Sequence, residues 1–292
     1  MRSEKPTITI IINNLIISPQ KWSAICRARD MKLYIISNRL PVKVSEKNGT
    51  FSFTRSEGGL ATGLDSLQTA YEKHWIGWPG ICVDNDSDKQ AIGEKLEELN
   101  FHPVFLSDTQ IKNYYEGYSN STIWPLCHYF FAYTLYKDTF WQAYREVNKR
   151  FCETICRLIG PEDKVWVQDY QLMLLPGMLR EAVPDLCIGY FHHIPFPSYE
   201  RAEILKGLLG ADFIAFHTHD YMRHFISAVE RVLRMNFKLD EIQLGNRVVR
   251  IDALPMGINY DLYHNASTQP EVRQAVDRTR KLFGDHKLIL SV

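Results

Sequence analysis

The chain has 292 residues, 45% hydrophobic and 23% charged, and Lys plus Arg balance Asp plus Glu at 34 each. These are globular values with room for one large or two smaller domains; the neutral balance gives no argument for a nucleic acid or an anionic membrane as partner, and neither is expected. The six cysteines (Cys26, Cys82, Cys127, Cys152, Cys156 and Cys187) are scattered without a CxxC pair, several of them in apolar runs. That usage fits reduced, buried thiols in a cytoplasmic protein better than a disulfide framework.

Along the chain, residues 1–30 carry an apolar stretch, TITIIINNLII, broken by two Asn. It is too short to span a membrane and is not followed by a small-residue cleavage site; these residues read as an N-terminal extension. A domain begins abruptly at Met31 with MKLYIISNR. Strands are expected at 32–38, 73–78, 102–106, 164–168, 186–192, 211–217, 248–254 and 287–292. Helices are expected at 58–72, 87–99, 107–116, 137–159, 171–183, 198–209, 219–235 and 268–283. Several strands are apolar on both faces, as a parallel sheet covered by helices requires. The alternation therefore predicts an α/β, doubly wound, Rossmann-like domain over 31–285, with 286–292 as the first strand of a second unit.

Ligands of such sheets gather beyond the carboxyl ends of the strands. The expected ends read SNR (37–39), WPG (78–80), QDY (168–170), HHIPFP (192–197), HTHD (217–220) and PMGI (255–258). Polar, aromatic and turn residues thus collect on one predicted edge. Arg39 ends the first strand, where a guanidinium can hold a phosphate by a bidentate bond, or simply face solvent. Gly58 and Gly59 precede an expected helix; they suit a backbone approach to a phosphate at a helix N-terminus, and equally a plain turn. The stretch NYYEGYSNSTIWPLCHY (113–129) interleaves aromatics with Asn and Ser, which suits a sugar ring and its hydroxyls, or a core aromatic cluster. Asp169 stands where a strand gives way to a helix, as a helix cap or as an acceptor for a sugar hydroxyl.

A metal fits poorly. His192 and His193 are neighbours on a strand and point to opposite faces, and HTHD offers His217 and His219 without a third ligand at metal spacing. No nicotinamide fingerprint, Gly-x-Ser-x-Gly elbow or Cys-His nucleophile pair occurs, so no cofactor is expected.

Taken together, ISNRLPV, GGLATGL, WIGWPG, YYEGYSNSTIWPLCHY, VWVQDYQLMLLPGMLR, GYFHHIPFPSYE, DFIAFHTHDYMRHF and PMGIN resemble, in order from Met31 to Val292, the trehalose-6-phosphate synthases. These are retaining glucosyltransferases built from two Rossmann domains (GT-B). The resemblance implies transfer of glucose from UDP-glucose to glucose 6-phosphate without a metal. By motif position it implies that Arg39, Trp78, Tyr115, Trp124 and Asp169 hold the acceptor, that Gly58 and Gly59 face the donor diphosphate, and that His193 contacts the donor glucose. His193 and Asp169 would stand nearest the chemistry. It also implies attack by the acceptor hydroxyl on the face the diphosphate leaves, with no enzyme nucleophile; no convincing glycosidase-like carboxylate pair is present.

The family's Arg and Lys for the leaving diphosphate fall after the strand that ends here at Val292. The sequence as given therefore predicts the acceptor-side, N-terminal half of a GT-B enzyme, with little or no transferase activity by itself. A transferase with another phosphorylated acceptor and a non-catalytic sugar-phosphate-binding subunit are the alternatives, and a homo-oligomer stays open.

Overall fold

A computed structural model describes residues 31–47, 49–55, 69, 71–198, 200–238, 240–257, 260–284, 286 and 289. The expectations for 1–30, for Gly58 and Gly59 with their helix, and for the strand at 287–292 lie outside the described residues or almost wholly so.

Nine strands form one sheet in the order β5-β4-β1-β6-β7-β8-β11-β10-β9. The parallel part comprises β1 (Lys32–Arg39), β4 (Glu72–Trp78), β5 (Phe101–Pro103), β6 (Lys164–Gln168), β7 (Cys187–His192), β8 (Phe213–Phe216) and β11 (Arg247–Ala253). Each was expected from its apolar run, though β5 is shorter than 102–106. The remaining strands of the sheet, β9 (Phe237–Lys238) and β10 (Glu241–Leu244), are antiparallel additions at the edge. A separate hairpin of β2 (Val42–Lys47) and β3 (Thr50–Arg55) follows β1. Its strands escape an apolar-run search because they alternate buried and solvated positions, as antiparallel pairs with one wet face do. The Asn-Gly at 48–49 was the available signal.

Burial explains why both faces of the sheet are apolar. Along β1, Leu33 and Ile35 enter one core while Tyr34 and Ile36 enter the other, all at 2% exposure or less. The larger core is capped by α2 (Asp108–Gln110, Ile111–Ile123 and Trp124–Cys127), α3 (Asp138–Cys156), α4 (Leu175–Ala182), α5 (Ala202–Leu208) and α6 (His219–Ala228). The smaller core packs α1 (Asp86–Glu97), through Ile92 and Leu96, and the hairpin residues Val42 and Val44. Beyond β11 lie α7 (Tyr260–Asn265) and α8 (Pro270–Phe283).

Helix α2 departs most from expectation. It starts at Asp108–Gln110 behind a Ser107–Gln110 capping box, but instead of stopping near 116 it widens into a π-helical stretch, Ile111–Ile123, and closes as Trp124–Cys127. The Ser119 hydroxyl donates to the Tyr114 carbonyl and the Ser121 hydroxyl to the Glu116 carbonyl, each five residues back. These bonds suit the wider turn, a form that recurs at functional sites.

Candidate functional site

The site grows from the carboxyl edge of the parallel strands. Between Ile36 and Arg39 the β1–β4 register slips, so that Arg39 lies opposite Trp78. Gly77 allows this close approach, since a Cβ there would come within 2.8 Å of the Ser37 carbonyl oxygen. The Arg39 guanidinium lies over the Trp78 ring, 4.9 Å from its centroid. At Gly80 (φ +86°) a Cβ would meet the same guanidinium at 2.7 Å, so a side chain at either glycine would push Arg39 from its seat. Trp78 itself is buried, and its indole N–H donates to the Ile81 carbonyl. Its role is thus to carry Arg39 from beneath. Arg39 is exposed and has no carboxylate partner within ion-pair distance among the described residues, which leaves its fork of donors available to an anion.

The stretch 113–129 divides between core and cleft. Tyr114 and Tyr118 are core residues, Tyr114 donating its hydroxyl to Asn38 Oδ1 at 3.0 Å behind Arg39. Tyr115 is half-buried and packs against the same core. Asn120 accepts the Tyr170 hydroxyl at 2.9 Å, tying the π-helical stretch to the turn after β6. Trp124 is 39% exposed and stacks on His128, centroids 4.0 Å apart. Asn120, Trp124, Phe130, Tyr133 and Leu135 line a groove of ≈ 460 Å³.

Asp169 does not cap a helix. It precedes a single 3-10 turn, Tyr170–Leu172, with no capping bond from its side chain, and α4 begins only at Leu175, with Pro176 in its first turn. Instead Asp169 Oδ1 accepts the His193 main-chain N–H at 3.1 Å, while the Asp169 N–H donates to the Phe191 carbonyl at 2.8 Å. Its backbone sits at φ +69°, ψ 174°, a region costly for any residue but glycine and found where a side chain must be aimed. Burial pushes its carboxyl up to about 7, against the pull of the His193 and Tyr170 N–H groups.

The two neighbouring histidines part as strand geometry requires. His192 is fully buried between Phe196 and Phe216, and the Tyr190 hydroxyl hydrogen-bonds its Nδ1 at 2.9 Å. His193 emerges on the other face against Phe191, with Nδ1 3.3 Å from His217 Nε2 and Nε2 2.9 Å from Gln168 Oε1. Burial, reinforced by nearby histidines, pushes both His192 and His193 down to about 3; both rings are neutral near pH 7.

Asp169, His193 and His217 thus meet beyond β6, β7 and β8, while Arg39 and Trp78 are the last residues of β1 and β4; β1 and β6 are neighbours in the sheet. Gln168 and His217 were not singled out for this role from sequence. The HTHD motif held the signal for His217, but as a metal pair with His219, which is exposed on α6. Among the described residues no group of three His, Cys, Asp or Glu side chains is arranged to hold a metal, and no helix is long and apolar enough to cross a membrane.

An exposed arginine on one side, and a buried carboxyl with two histidines on the other, thus stand at the carboxyl edge of the parallel sheet, the place where doubly wound α/β folds gather their ligands. Residues 31–292 match glycosyltransferase family 20, and the chain belongs to that family. It is 40% identical over 278 residues to an α,α-trehalose-phosphate synthase (UDP-forming) of Pichia angusta, covering 88% of this chain and 58% of that protein. It is 41% identical over 272 residues to the 56 kDa subunit of the Kluyveromyces lactis enzyme, covering 88% and 56%. The fold matches the N-terminal domain of Candida albicans trehalose-6-phosphate phosphatase (TM-score 0.74, 28% identity, 89% of this chain and 56% of that one). It also matches an α,α-trehalose-phosphate synthase from Burkholderia vietnamiensis (TM-score 0.72, 27% identity, 88% and 55%). The chain therefore spans just over half the length of these relatives.

Proposed function

We propose that the chain is the acceptor-side half of a UDP-forming α,α-trehalose-phosphate synthase, a retaining glucosyltransferase that moves glucose from UDP-glucose to glucose 6-phosphate. The observation that carries this reading is the exposed Arg39, without a carboxylate partner among the described residues, seated on Trp78 at the same sheet edge as the Asp169–His193 clamp, in a family 20 chain. Arg39 would take the acceptor phosphate, with Tyr115, Trp124 and Asp169 on the sugar. His193 would face the donor glucose, and Gly58 and Gly59 its diphosphate. In the reaction the bond from glucose C1 to the diphosphate breaks and a bond from C1 to the acceptor oxygen forms on the same face. The acceptor hydroxyl proton leaves with the departing phosphate. These residues bind and orient, and alignment of the reactants supplies much of the rate. The reading requires no metal, places the protein in the cytoplasm, and expects the chain alone to be inactive, since residues that would neutralise the leaving diphosphate belong to a second domain.

A second reading, a sugar-phosphate-binding subunit without catalysis of its own, draws support from the likeness to a domain of a protein named as a phosphatase. Calorimetry with glucose 6-phosphate tests what the two share. Arg39→Ala is expected to weaken binding by about 10- to 100-fold, the loss of a charge-assisted bond worth roughly 1.5–3 kcal/mol; binding indistinguishable from the parent would sink the acceptor assignment. UDP release from UDP-glucose by the chain alone would overturn the expected inactivity.

A further inference from the structure

The side chains around His193 form a hydrogen-bonded row whose direction is set independently at its two ends. At one end the Met256 main-chain N–H, which can only donate, reaches His217 Nδ1 at 3.4 Å. A neutral imidazole accepting at Nδ1 carries its hydrogen on Nε2, and His217 Nε2 lies 3.3 Å from His193 Nδ1. At the other end the Gln168 amide oxygen, which can only accept, lies 2.9 Å from His193 Nε2. The ends could have disagreed; instead both assign His193 an acceptor at Nδ1 and a hydrogen on Nε2.

We infer that His217 is a positioning residue for His193, holding it, with the Met256 amide behind, as the neutral Nε2–H tautomer. Which substrate oxygen that hydrogen meets rests on the function proposed above; the tautomer itself is a property of the free protein.

The sheet register brings the row together. His192 of β7 pairs with Phe216 of β8, so the next residues, His193 and His217, leave their strands side by side. Phe216 also accounts for Met256, because Phe216 pairs with Ala253 and its carbonyl accepts the Leu254 N–H. Packing leaves little freedom: Phe191 lies against His193 (4.5 Å) and edge-on to His217 (5.1 Å). Turning the Gln168 amide over would give its NH₂ to His193 Nε2. The His193 hydrogen would then sit on Nδ1, facing the Nε2–H that Met256 imposes on His217. A proton added to His193 meets the same obstacle, N–H against N–H, in addition to the burial that pushes both rings down. The Asp169 carboxyl makes no hydrogen bond to the ring among the described residues; its Oδ1 accepts the His193 main-chain N–H. His192 faces the opposite core.

The test uses the full chain labelled with nitrogen-15 histidine and long-range proton–nitrogen correlation near neutral pH, where the two ring nitrogens of each tautomer are distinguished. His193 is expected to show a single tautomer, hydrogen on Nε2. His217→Phe, which keeps the ring bulk and removes the donor, is expected to collapse that pattern to an average of tautomers. His217→Gln, whose amide can donate to Nδ1, is expected to restore it, a rescue that a purely space-filling role would not produce. A parent His193 charged or carrying its hydrogen on Nδ1, or a His217→Phe protein with the parent pattern, would overturn the inference. Should His217→Phe not fold, the parent spectrum and His217→Gln decide the matter alone. Glucose 6-phosphate titration of the same samples keeps the two readings apart. The tautomer present without acceptor binding sinks the proposed function and supports the row; acceptor binding with a mixed tautomer does the reverse.

Discussion

Asp169→Asn separates what Asp169 costs the fold from what it does at the site. The carboxyl is shielded from water between the ends of β6 and β7, which pushes its pKa from 3.8 up to about 7. The folded chain therefore keeps a proton that the unfolded chain has released, so stability is lost as pH rises from near 3.8 toward 7 and the full cost is present above 7. A shift of about three units corresponds to at most about 4 kcal/mol. Partial solvent access at this half-buried position reduces that to roughly 2 kcal/mol, given the high effective dielectric of real sites. Asparagine keeps an oxygen for the His193 N–H and is among the residues most tolerant of positive φ. The variant should gain roughly 4–8 °C in Tm at about pH 8, at the 2–4 °C per kcal/mol expected for a chain of this size, and the gain should shrink steadily toward pH 4. Glucose 6-phosphate affinity should fall in the same protein. Thermal melts by near-ultraviolet circular dichroism across that pH range, read as variant minus parent, provide the assay. A gain independent of pH, or a variant less stable than the parent at about pH 8, would refute the assignment of a buried, costly carboxyl.

Two further outcomes follow from buried polar groups. The Tyr144 hydroxyl donates to the Tyr170 carbonyl at 2.7 Å and accepts the Met173 N–H at 3.0 Å in a fully buried position. Tyr144→Phe strands both backbone groups and should cost roughly 2–4 kcal/mol in urea unfolding; a cost under about 0.5 kcal/mol would show the turn after β6 to be held by other means. Asp212 joins Arg180 (2.7 Å) to Arg247 (3.7 Å) and also accepts the Ile188 N–H. Asp212→Ala leaves two half-buried guanidinium groups facing each other and should cost about 2–3 kcal/mol, with little change in glucose 6-phosphate affinity because the triad lies at the opposite end of β7 and β8 from the site. An affinity loss as large as that of Arg39→Ala would contradict that placement.

The local pattern of residues was enough for the central parallel strands β1, β6, β7 and β8, because a strand buried on both faces must be apolar almost throughout. It was also enough for the edge on which these polar and aromatic residues stand, and for the parting of His192 from His193, because side chains alternate along a strand whatever surrounds it. The tertiary structure decided what depends on contacts between distant segments. Trp78 lies under Arg39 rather than open to the cleft because the β1–β4 register slips and Gly77 admits the close approach. The stretch 113–129 serves both core and groove because the π-helical turn rotates Tyr114 and Tyr118 inward and leaves Trp124 exposed. Asp169, read as either a cap or a sugar contact, turns away from the helix because its N–H is engaged by Phe191 of β7 and its carboxyl by His193 just after it. The row from Met256 to Gln168 joins residues 88 positions apart in numbering. No local periodicity encodes it, since only the pairing of β6, β7, β8 and β11 sets those four groups within hydrogen-bonding reach.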